Sequence, residues 1–160
     1  MARAKKSSLA TALKQNRPFV SLEQEVYLSI LRTASELSYA VDQFFRQFDI
    51  TQSQYNVLRI LRGAGAEGLC RNEISERMVT ATPDMSRLLD RMEKTGWVTR
   101  KRAEDDRRQV FTHITKSGME LLARLEKPTS DFVTSLFAGT AISDLKTVLK
   151  VNDQIRAKLS

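Results

Sequence analysis

Residues 82–114 read TPDMSRLLDRMEKTGWVTRKRAEDDRRQVFTHI, and the spacing of apolar residues changes within this stretch. In its first part they recur three or four positions apart, which is typical of an amphipathic helix. These residues are Met85, Leu88, Leu89 and Met92. Thr82 and Pro83 are predicted to be the N-cap and the first helical residue, because proline lacks an N–H and its φ is already helical. Gly96 is predicted to end the helix.

After Gly96 the period becomes two. Residues 97–102 and 109–114 are rich in β-branched and aromatic side chains, which predicts the two strands of a hairpin. Five of the six residues between them, 103–108, are charged, so they have to stay solvated or find a charged partner. A helix with a polar face beside a hairpin that supplies basic residues is the arrangement with which a winged helix holds DNA.

Helices are predicted on both sides of this stretch. A long helix starts at Ser21, which fits a capping box with Gln24, and its apolar residues recur every three or four positions as far as Phe48. A second helix is capped by Ser53. Residues 71–78 form a third helix, and a turn of about three residues joins it to the helix described above, which makes a helix-turn-helix.

The segment after the hairpin is also predicted to be helical. Ser117 and Glu120 fit a second capping box. Pro128 is predicted to kink or break the helix that starts there, because proline removes a backbone donor. A final amphipathic helix carries apolar residues as far as Leu159. The first helix and the last two share the wide apolar faces that are typical of a layer between subunits.

The predicted fold is therefore mainly α with a small β part (α+β): a winged helix-turn-helix with a helical dimerisation layer formed by the first and the last two helices. Residues 21–160 are predicted to form a single domain behind a basic arm, residues 1–20. Residues 21–48 and 117–159 are assigned to the dimerisation layer, and residues 53–115 to the winged lobe. The arm is either a flexible tail or a segment that touches phosphates or packs on a partner subunit.

Composition limits the function classes. The formal net charge of +7 favours an anionic partner, although many basic proteins bind nothing anionic. A single cysteine precludes an intrachain disulfide and indicates a reducing, cytoplasmic compartment. We expect no membrane association, because the chain has no signal peptide and no apolar run of roughly 20 residues. One histidine and one cysteine cannot make a usual metal cluster, and catalytic motifs are absent, so we expect no enzyme, cofactor or metal.

The order of these elements, with the residues that fill them, resembles the multiple antibiotic resistance regulator (MarR) family. The resemblance is carried by residues 50–55, ITQSQY, residues 72–78, NEISERM, and residues 86–98, SRLLDRMEKTGWV. Its most specific part is the wing pattern of Arg102, Asp106-Arg107-Arg108 and Ile114-Thr115-Lys116-Ser117-Gly118. The resemblance covers residues 21–159.

The resemblance implies a homodimeric, sequence-specific transcriptional regulator, with repression as the expected role, on a pseudo-palindromic site in double-stranded DNA. Its recognition helices would lie in successive major grooves and its wings in the flanking minor grooves. By the matching positions, Arg108 would enter the minor groove, and Asp106 would hold the wing tip in a salt bridge with Arg108. The candidate DNA-binding residues are Thr82, Asp84, Ser86, Arg87, Arg91, Arg102, Arg107 and Arg108.

Physical chemistry supports part of this assignment independently. Arginine can bond guanine through two hydrogen bonds, and it is attracted to the negative potential of a narrow minor groove. Asp84 would repel phosphate, so it accepts from cytosine, orients Arg87 or only complements the helix dipole. For Arg100, Lys101 and Arg102, a solvated strand face explains the charges as well as phosphate contacts do.

Two further sites and one rival function remain open. The resemblance implies a small aromatic or phenolic effector, whose candidate pocket residues are Tyr39, Phe44, Phe45 and Tyr55. Cys70 is either an inert, partly buried thiol or a redox-sensing one, because a helix N-terminus and Arg71 both favour the thiolate. The alternatives to an effector-released regulator are therefore a thiol-based sensor and a winged-helix module that binds protein or RNA.

Overall fold

A computed structural model describes residues 8–102 and 109–159. The described chain is mostly helical, with one small three-stranded antiparallel sheet, which confirms the predicted fold class. It divides into two compact units, Met1–Gln52 and Ser53–Ser160. The assignment of residues 21–160 to one domain stays a prediction.

The first unit contains two helices, α1 (Ser8–Ala12) and α2 (Leu22–Arg46). Helix α1 lies in the arm, where the sequence shows no steady period. Ser21 caps α2 as predicted, since its hydroxyl accepts the Gln24 N–H at 3.2 Å. In a capping box the Gln24 side chain would accept from the backbone N–H of Ser21. Here it accepts from the N–H of the preceding residue, Val20, at 2.8 Å.

Besides a 3₁₀ helix at Gly65–Glu67, the second unit contains the remaining α-helices and all the strands of the described chain. In order they are α3 (Gln52–Ala64, entered from the last residue of the first unit), β1 (Leu69–Cys70), α4 (Arg71–Arg77), α5 (Met85–Lys94), β2 (Val98–Arg102), β3 (Val110–Ile114), α6 (Lys116–Leu136) and α7 (Ile142–Arg156). The strand order is β1-β3-β2, and both pairings are antiparallel. Val98 lies opposite Ile114 and Arg102 opposite Val110, so β2 and β3 form the predicted hairpin.

The core of the second unit confirms the spacing of apolar residues in the sequence. All four residues of the predicted stripe on α5 are at most 4% exposed. They share the core with residues of α3, α4, β2 and α6, namely Val57, Leu58, Leu61, Ile74, Val98, Leu121, Leu122 and Leu125. Because the apolar face of α5 is buried, its opposite face is left to solvent.

Helix α5 ends where the sequence predicts, and its end is tied to the start of α6. Gly96 adopts a φ of +79°, and the N–H of Trp97 donates to the Met92 carbonyl at 3.0 Å, which forms a Schellman motif. The Thr115 hydroxyl donates to the Gly96 carbonyl at 2.6 Å and accepts the Gly118 N–H at 3.1 Å. We call these contacts of Gly96, Thr115 and Gly118 the α5–α6 junction.

Three predicted helix starts are wrong, each by two residues. Helix α5 begins at Met85, and Asp84 caps it in place of Thr82, because its carboxylate accepts the Arg87 N–H at 3.2 Å. Helix α6 is capped by Thr115 and not by Ser117. Helix α3 begins at Gln52, so Ser53 lies inside its first turn. For α5 and α6 a neighbouring polar residue, Asp84 or Thr115, is an equally good cap, and Thr115 is also held by its hydrogen bond to the Gly96 carbonyl.

Pro128 is predicted to kink or break its helix; the break is wrong, and the kink stays a prediction. Helix α6 runs without interruption from Lys116 to Leu136, with Pro128 inside it. The proline leaves one carbonyl without its helical donor. The turn before it is buried through Leu125, and Lys127 and Asp131 form an ion pair of 2.6 Å across it. Packing on the core therefore outweighs the cost of proline.

The α5–α6 junction requires glycine at position 118. A Cβ there would overlap the Trp97 carbonyl oxygen and lie 2.8 Å from Ile114 Cγ1. We expect Gly118→Ala to lower the free energy of unfolding by about 2 kcal/mol or more, because overpacking of this kind forces the backbone to shift. Gly63→Ala is the matched control, since its Cβ would meet nothing within 4 Å. Thermal unfolding followed by circular dichroism should show the control unchanged or slightly more stable; equal Tm values for both variants would contradict the prediction.

Candidate nucleic-acid interface

Helix α5 presents an exposed polar face. Ser86, Arg87 and Arg91 are all exposed, and the Arg87 side chain keeps 82% of its accessible surface. Lys94 extends the face to the last turn. This face holds three of the candidate DNA-binding residues, on a helix whose other side is fixed in the core. A rigid helix with exposed cationic and hydroxyl groups is the chemistry that reads base edges in a major groove.

Asp84 has two structural roles at the start of this face. One carboxylate oxygen caps α5 through the Arg87 N–H, and the other lies 3.1 Å from Arg87 Nε. Of the three roles that the sequence allows for Asp84, the structure contains the orientation of Arg87 and a charge at the helix N-terminus. The long Arg87 side chain is thereby held near the N-terminal end of α5, which is the end that contacts bases in a helix-turn-helix.

The segment that leads into α5 is held by polar contacts to α3 and α4. The Asn56 side chain accepts the Val79 N–H at 2.9 Å. Arg71, at the start of α4, lies 3.5 Å from the Ser86 hydroxyl and donates to the Asn72 side chain at 3.1 Å. Thr82 is half-buried ahead of α5, so it lies before the exposed helical face rather than on it.

Arg100 is part of a charge cluster that sequence reasoning missed. Its guanidinium donates to Glu93 through Nε at 2.8 Å and Nη2 at 2.6 Å, and Nη2 also lies 2.7 Å from Asp90. The backbone N–H of Arg100 donates to the other Glu93 oxygen at 2.9 Å. We call Asp90, Glu93 and Arg100 the Arg100 cluster. Both acids lie on α5 and the arginine on β2.

The sequence does contain a signal for this cluster. Side chains alternate along a strand, so Arg100 shares the face of β2 that carries Val98, which is 2% exposed. An arginine two residues after a buried valine is therefore directed inward and needs a carboxylate. The partner, seven residues earlier on a helix, cannot be identified from spacing alone.

The Arg100 cluster shifts the titration of its members. Hydrogen bonds from the Arg100 side chain lower the pKa of Glu93 below the ordinary value of 4.5, against an opposing desolvation effect. The pKa of Arg100 is raised in turn, chiefly by its bonds to Glu93. Both shifts favour the charged forms, so the cluster is an ion pair at neutral pH.

The wing is described up to its tip. Lys101 and Arg102 are exposed at the end of β2, and Val110 starts the returning strand. The predicted wing residues Asp106, Arg107 and Arg108, with their salt bridge, lie outside the described residues. Of the candidate DNA-binding residues in the wing, Arg102, Arg107 and Arg108, the structure therefore places Arg102, at the base of the tip.

The candidate effector residues lie on two helices that belong to different units. Tyr39, Phe44 and Phe45 are on α2, and Tyr55 is on α3. Phe44 and Phe45 meet edge to face at 5.1 Å between ring centroids, and Phe45 is 3% exposed, whereas Tyr39 is 68% exposed. Phe45 is therefore buried, and the role of these side chains in ligand binding stays a prediction.

Cys70 occupies the N-cap of α4, as predicted. Its N–H donates to the Glu73 carboxylate at 2.8 Å. Hydrogen bonds from the backbone and the thiol of Cys70 lower the pKa of Glu73. The described contacts of the Arg71 guanidinium are with Ser86 and Asn72. The described hydrogen bonds of Cys70 are thus with Glu73, and a redox role of the thiol stays a prediction.

Two other kinds of site are absent from the part of the chain that the structure describes. No group of three or more His, Cys, Asp and Glu side chains is arranged there to hold a metal ion. None of the helices within residues 8–102 and 109–159 combines the length and the apolar character needed to cross a membrane.

The fold and this surface define a winged helix-turn-helix protein, in which α4 and α5 form the helix-turn-helix and β2 and β3 the wing. A family model described as "MarR family" matches residues 50–110. A MarR transcription factor from Planctomyces limnophilus, known from its crystal structure, is 33% identical, with a TM-score of 0.66 over 86% of this chain and 99% of its own. The chain belongs to the MarR family of transcriptional regulators, which confirms the resemblance seen in the sequence.

A more distant relative agrees with this assignment, and a further solved structure shares the fold. The HTH-type transcriptional regulator PecS of Dickeya dadantii is 26% identical over 121 residues, which are 74% of this chain and 73% of PecS. Sco3205, a MarR family transcriptional regulator from Streptomyces coelicolor crystallised in complex with DNA, is 22% identical, and the match covers 91% of this chain and 93% of that chain. Its TM-score of 0.79 shows that the two share a fold.

The cap of α5 can be tested apart from the Arg87 contact. We expect Asp84→Ala to lower the free energy of unfolding by about 1 kcal/mol, because it removes the N-cap. Asp84→Asn should lower the free energy of unfolding by only a few tenths of the loss seen for Asp84→Ala, because asparagine caps a helix nearly as well as aspartate. Urea unfolding of both variants is the measurement. Equal losses for Asn and Ala would show that the ion pair with Arg87, and not the cap, carries the stability.

The lowered pKa of Glu93 predicts a pH dependence. A carboxylate whose pKa is depressed in the folded state contributes its stability above the unfolded pKa and loses it as the pH falls through the folded pKa. We expect Glu93→Gln to cost about 1 kcal/mol at pH 7, since the partners are partly exposed. The difference from the wild type should shrink as the pH falls from about 5 to 3. A difference that stays constant over this range, in urea unfolding, would contradict the prediction.

Proposed function

We propose that this chain is a homodimeric repressor that binds a pseudo-palindromic operator in double-stranded DNA and is released by a small aromatic or phenolic effector. The observation that carries the proposal is the exposed polar face of α5, with Arg87 accessible but held by Asp84. The DNA complex of Sco3205, a protein of the same fold, supports the choice of DNA over protein or RNA as the partner.

In this proposal α5 enters the major groove. Ser86, Arg87 and Arg91 lie on one exposed face, so they can reach base edges and phosphates together. Arg87 is suited to guanine, because a guanidinium can bond its O6 and N7 at once. Asp84 is then an orienting residue rather than a base reader, since both of its oxygens are engaged by Arg87.

The wing tip is proposed to enter the flanking minor groove. Arg102 is exposed at the end of β2, where the chain leaves the sheet toward the tip. Arg107 and Arg108 follow in the sequence, with Asp106 as the partner that steadies Arg108. An arginine inserted there is attracted most strongly where the minor groove is narrow, because the electrostatic potential of a narrow minor groove is the most negative.

The dimer is supported by apolar surface on helices of both units, each taken by itself. On α2, Leu22, Tyr27 and Leu31 are 49–72% exposed. On α7, Ile142 and Leu149 are 72% and 62% exposed, and no residue of α7 is buried. Repeated large apolar residues in water mark a surface that binds another chain. A twofold pair of chains would present two recognition helices to two half-sites.

The DNA proposal predicts binding to random duplex DNA at low ionic strength. The logarithm of the binding constant should fall linearly with the logarithm of the salt concentration, by about 0.9 for each phosphate contact. Arg108→Ala should weaken binding about tenfold, because it removes a minor-groove contact. Lys146→Ala, which removes the same charge from exposed α7, is the matched control and should have little effect. Electrophoretic mobility shifts measure both variants.

Selection of bound sequences from a random pool tests the remaining claims together. A twofold symmetric site with half-sites about one helical turn apart is the expected outcome for a dimer. Indifference to every duplex at low salt would refute the DNA proposal and leave the protein- or RNA-binding module. An asymmetric single site would refute the dimer on its operator. A reporter gene placed behind the selected site then tests repression and its relief by aromatic acids and phenols.

A further inference from the structure

The geometry points to the Arg100 cluster as the device that sets the wing at one angle to the recognition helix, so that α5 and the wing tip reach their two grooves together. Asp90, Glu93 and Arg100 are therefore positioning residues and not DNA contacts. This inference rests on the proposed DNA binding and assigns to Arg100 a role different from the phosphate contact that its sequence also allows.

The charges of the cluster argue against a phosphate contact. One guanidinium faces two carboxylates, at 2.6 Å from Glu93 and 2.7 Å from Asp90, so the group carries a net charge of about −1 at neutral pH. A phosphate that approached Arg100 would have to displace or oppose both acids. The Arg100 side chain also keeps only 31% of its accessible surface, whereas Arg87 keeps 82%.

The hydrogen bonds of Glu93 fix the backbone of the wing as well as a side chain. One Glu93 oxygen accepts the Arg100 backbone N–H, and the other accepts from its guanidinium. Strand β2 is the edge of the sheet, so this N–H has no neighbouring strand on that side. Glu93 therefore fixes the main chain of β2 to the last turn of α5.

The position of Arg100 along the strand explains why this bond controls the wing. Arg100 pairs with Thr112, which is 1% exposed in the middle of the sheet. Two residues further on, exposed Arg102 pairs with Val110, and the chain continues to the tip. The Arg100 cluster is thus the last described attachment of β2 to α5 before the tip.

This role predicts effects opposite in sign to those of simple electrostatics. Glu93→Gln removes a negative charge beside a DNA-binding helix, which by charge alone should tighten binding. If the cluster positions the wing, the same change should weaken binding. Arg100→Lys keeps the positive charge, so a phosphate contact would survive it, but a lysine amine cannot bridge both carboxylates and the two Glu93 bonds at once.

The experiment measures binding of the wild type, Glu93→Gln and Arg100→Lys to one duplex over a series of salt concentrations. Glu76→Gln, which removes a negative charge from an exposed position on α4, is the charge-matched control. In parallel, 15N relaxation of the Lys101, Arg102 and Val110 amides, well below the unfolding temperature, reports motion of the wing without DNA. A purely structural role would lower Tm but leave these amides unchanged.

We expect both cluster variants to bind about two- to thirtyfold more weakly, the range seen for residues that touch neither ligand, with an unchanged salt slope. Their wing amides should become more mobile, and Glu76→Gln should not share these effects. Tighter binding by Glu93→Gln, wild-type binding by Arg100→Lys, or unchanged amides would overturn the inference. A wild type that binds no duplex would refute the proposed function instead, and the relaxation measurement would still decide the role of the cluster.

Discussion

The α5–α6 junction is the constraint on which the rest of the DNA-binding lobe depends. The Thr115 hydroxyl donates to the Gly96 carbonyl and accepts the Gly118 N–H, so one side chain ends α5 and starts α6. Gly96 allows the sharp turn because its φ of +79° is accessible to glycine without strain. Between these two residues the chain makes the whole hairpin. The two ends of the wing are therefore held together at the α5–α6 junction. A movement of its base would disturb both α5 and α6.

Three acidic residues lie on or next to α5, the helix proposed to approach DNA, and their contacts within the protein explain how they can be there. Each acid would repel phosphate if it were free, but each is engaged within the protein. Asp84 caps the helix and holds Arg87, while Asp90 and Glu93 hold Arg100. The positive charge on the exposed face thus comes from residues other than Arg100. The three acids stabilise the positions of Arg87 and Arg100, so they do not act as free negative charges that would weaken DNA binding. This is why net charge alone says little about which residues touch DNA.

The order and type of the elements can be predicted well from the sequence, because the spacing of apolar residues indicates which side of each element is buried. In this protein the apolar residues of α5 and of the neighbouring elements do form the core. Helix starts are predicted less well. Thr82 and Asp84, or Thr115 and Ser117, are comparable caps, and the choice depends on contacts such as that of Thr115 with Gly96, which is distant in the sequence. The Arg100 cluster is missed for the same reason. Alternation places Arg100 on the inner face of β2, but its partners lie on another element.

The exposed apolar residues of α7 connect folding with assembly. A helix of 15 residues is marginal in water by itself, so most of the stability of such helices comes from packing of an apolar face. In the described chain α7 has no buried residue, although Ile142 and Leu149 recur on it at helical spacing. We propose that the packing that would stabilise α7 is supplied by a surface outside this single chain. In the proposed dimer that surface is the partner subunit, and the pairing of recognition helices on an operator then follows from the same contact that completes the fold.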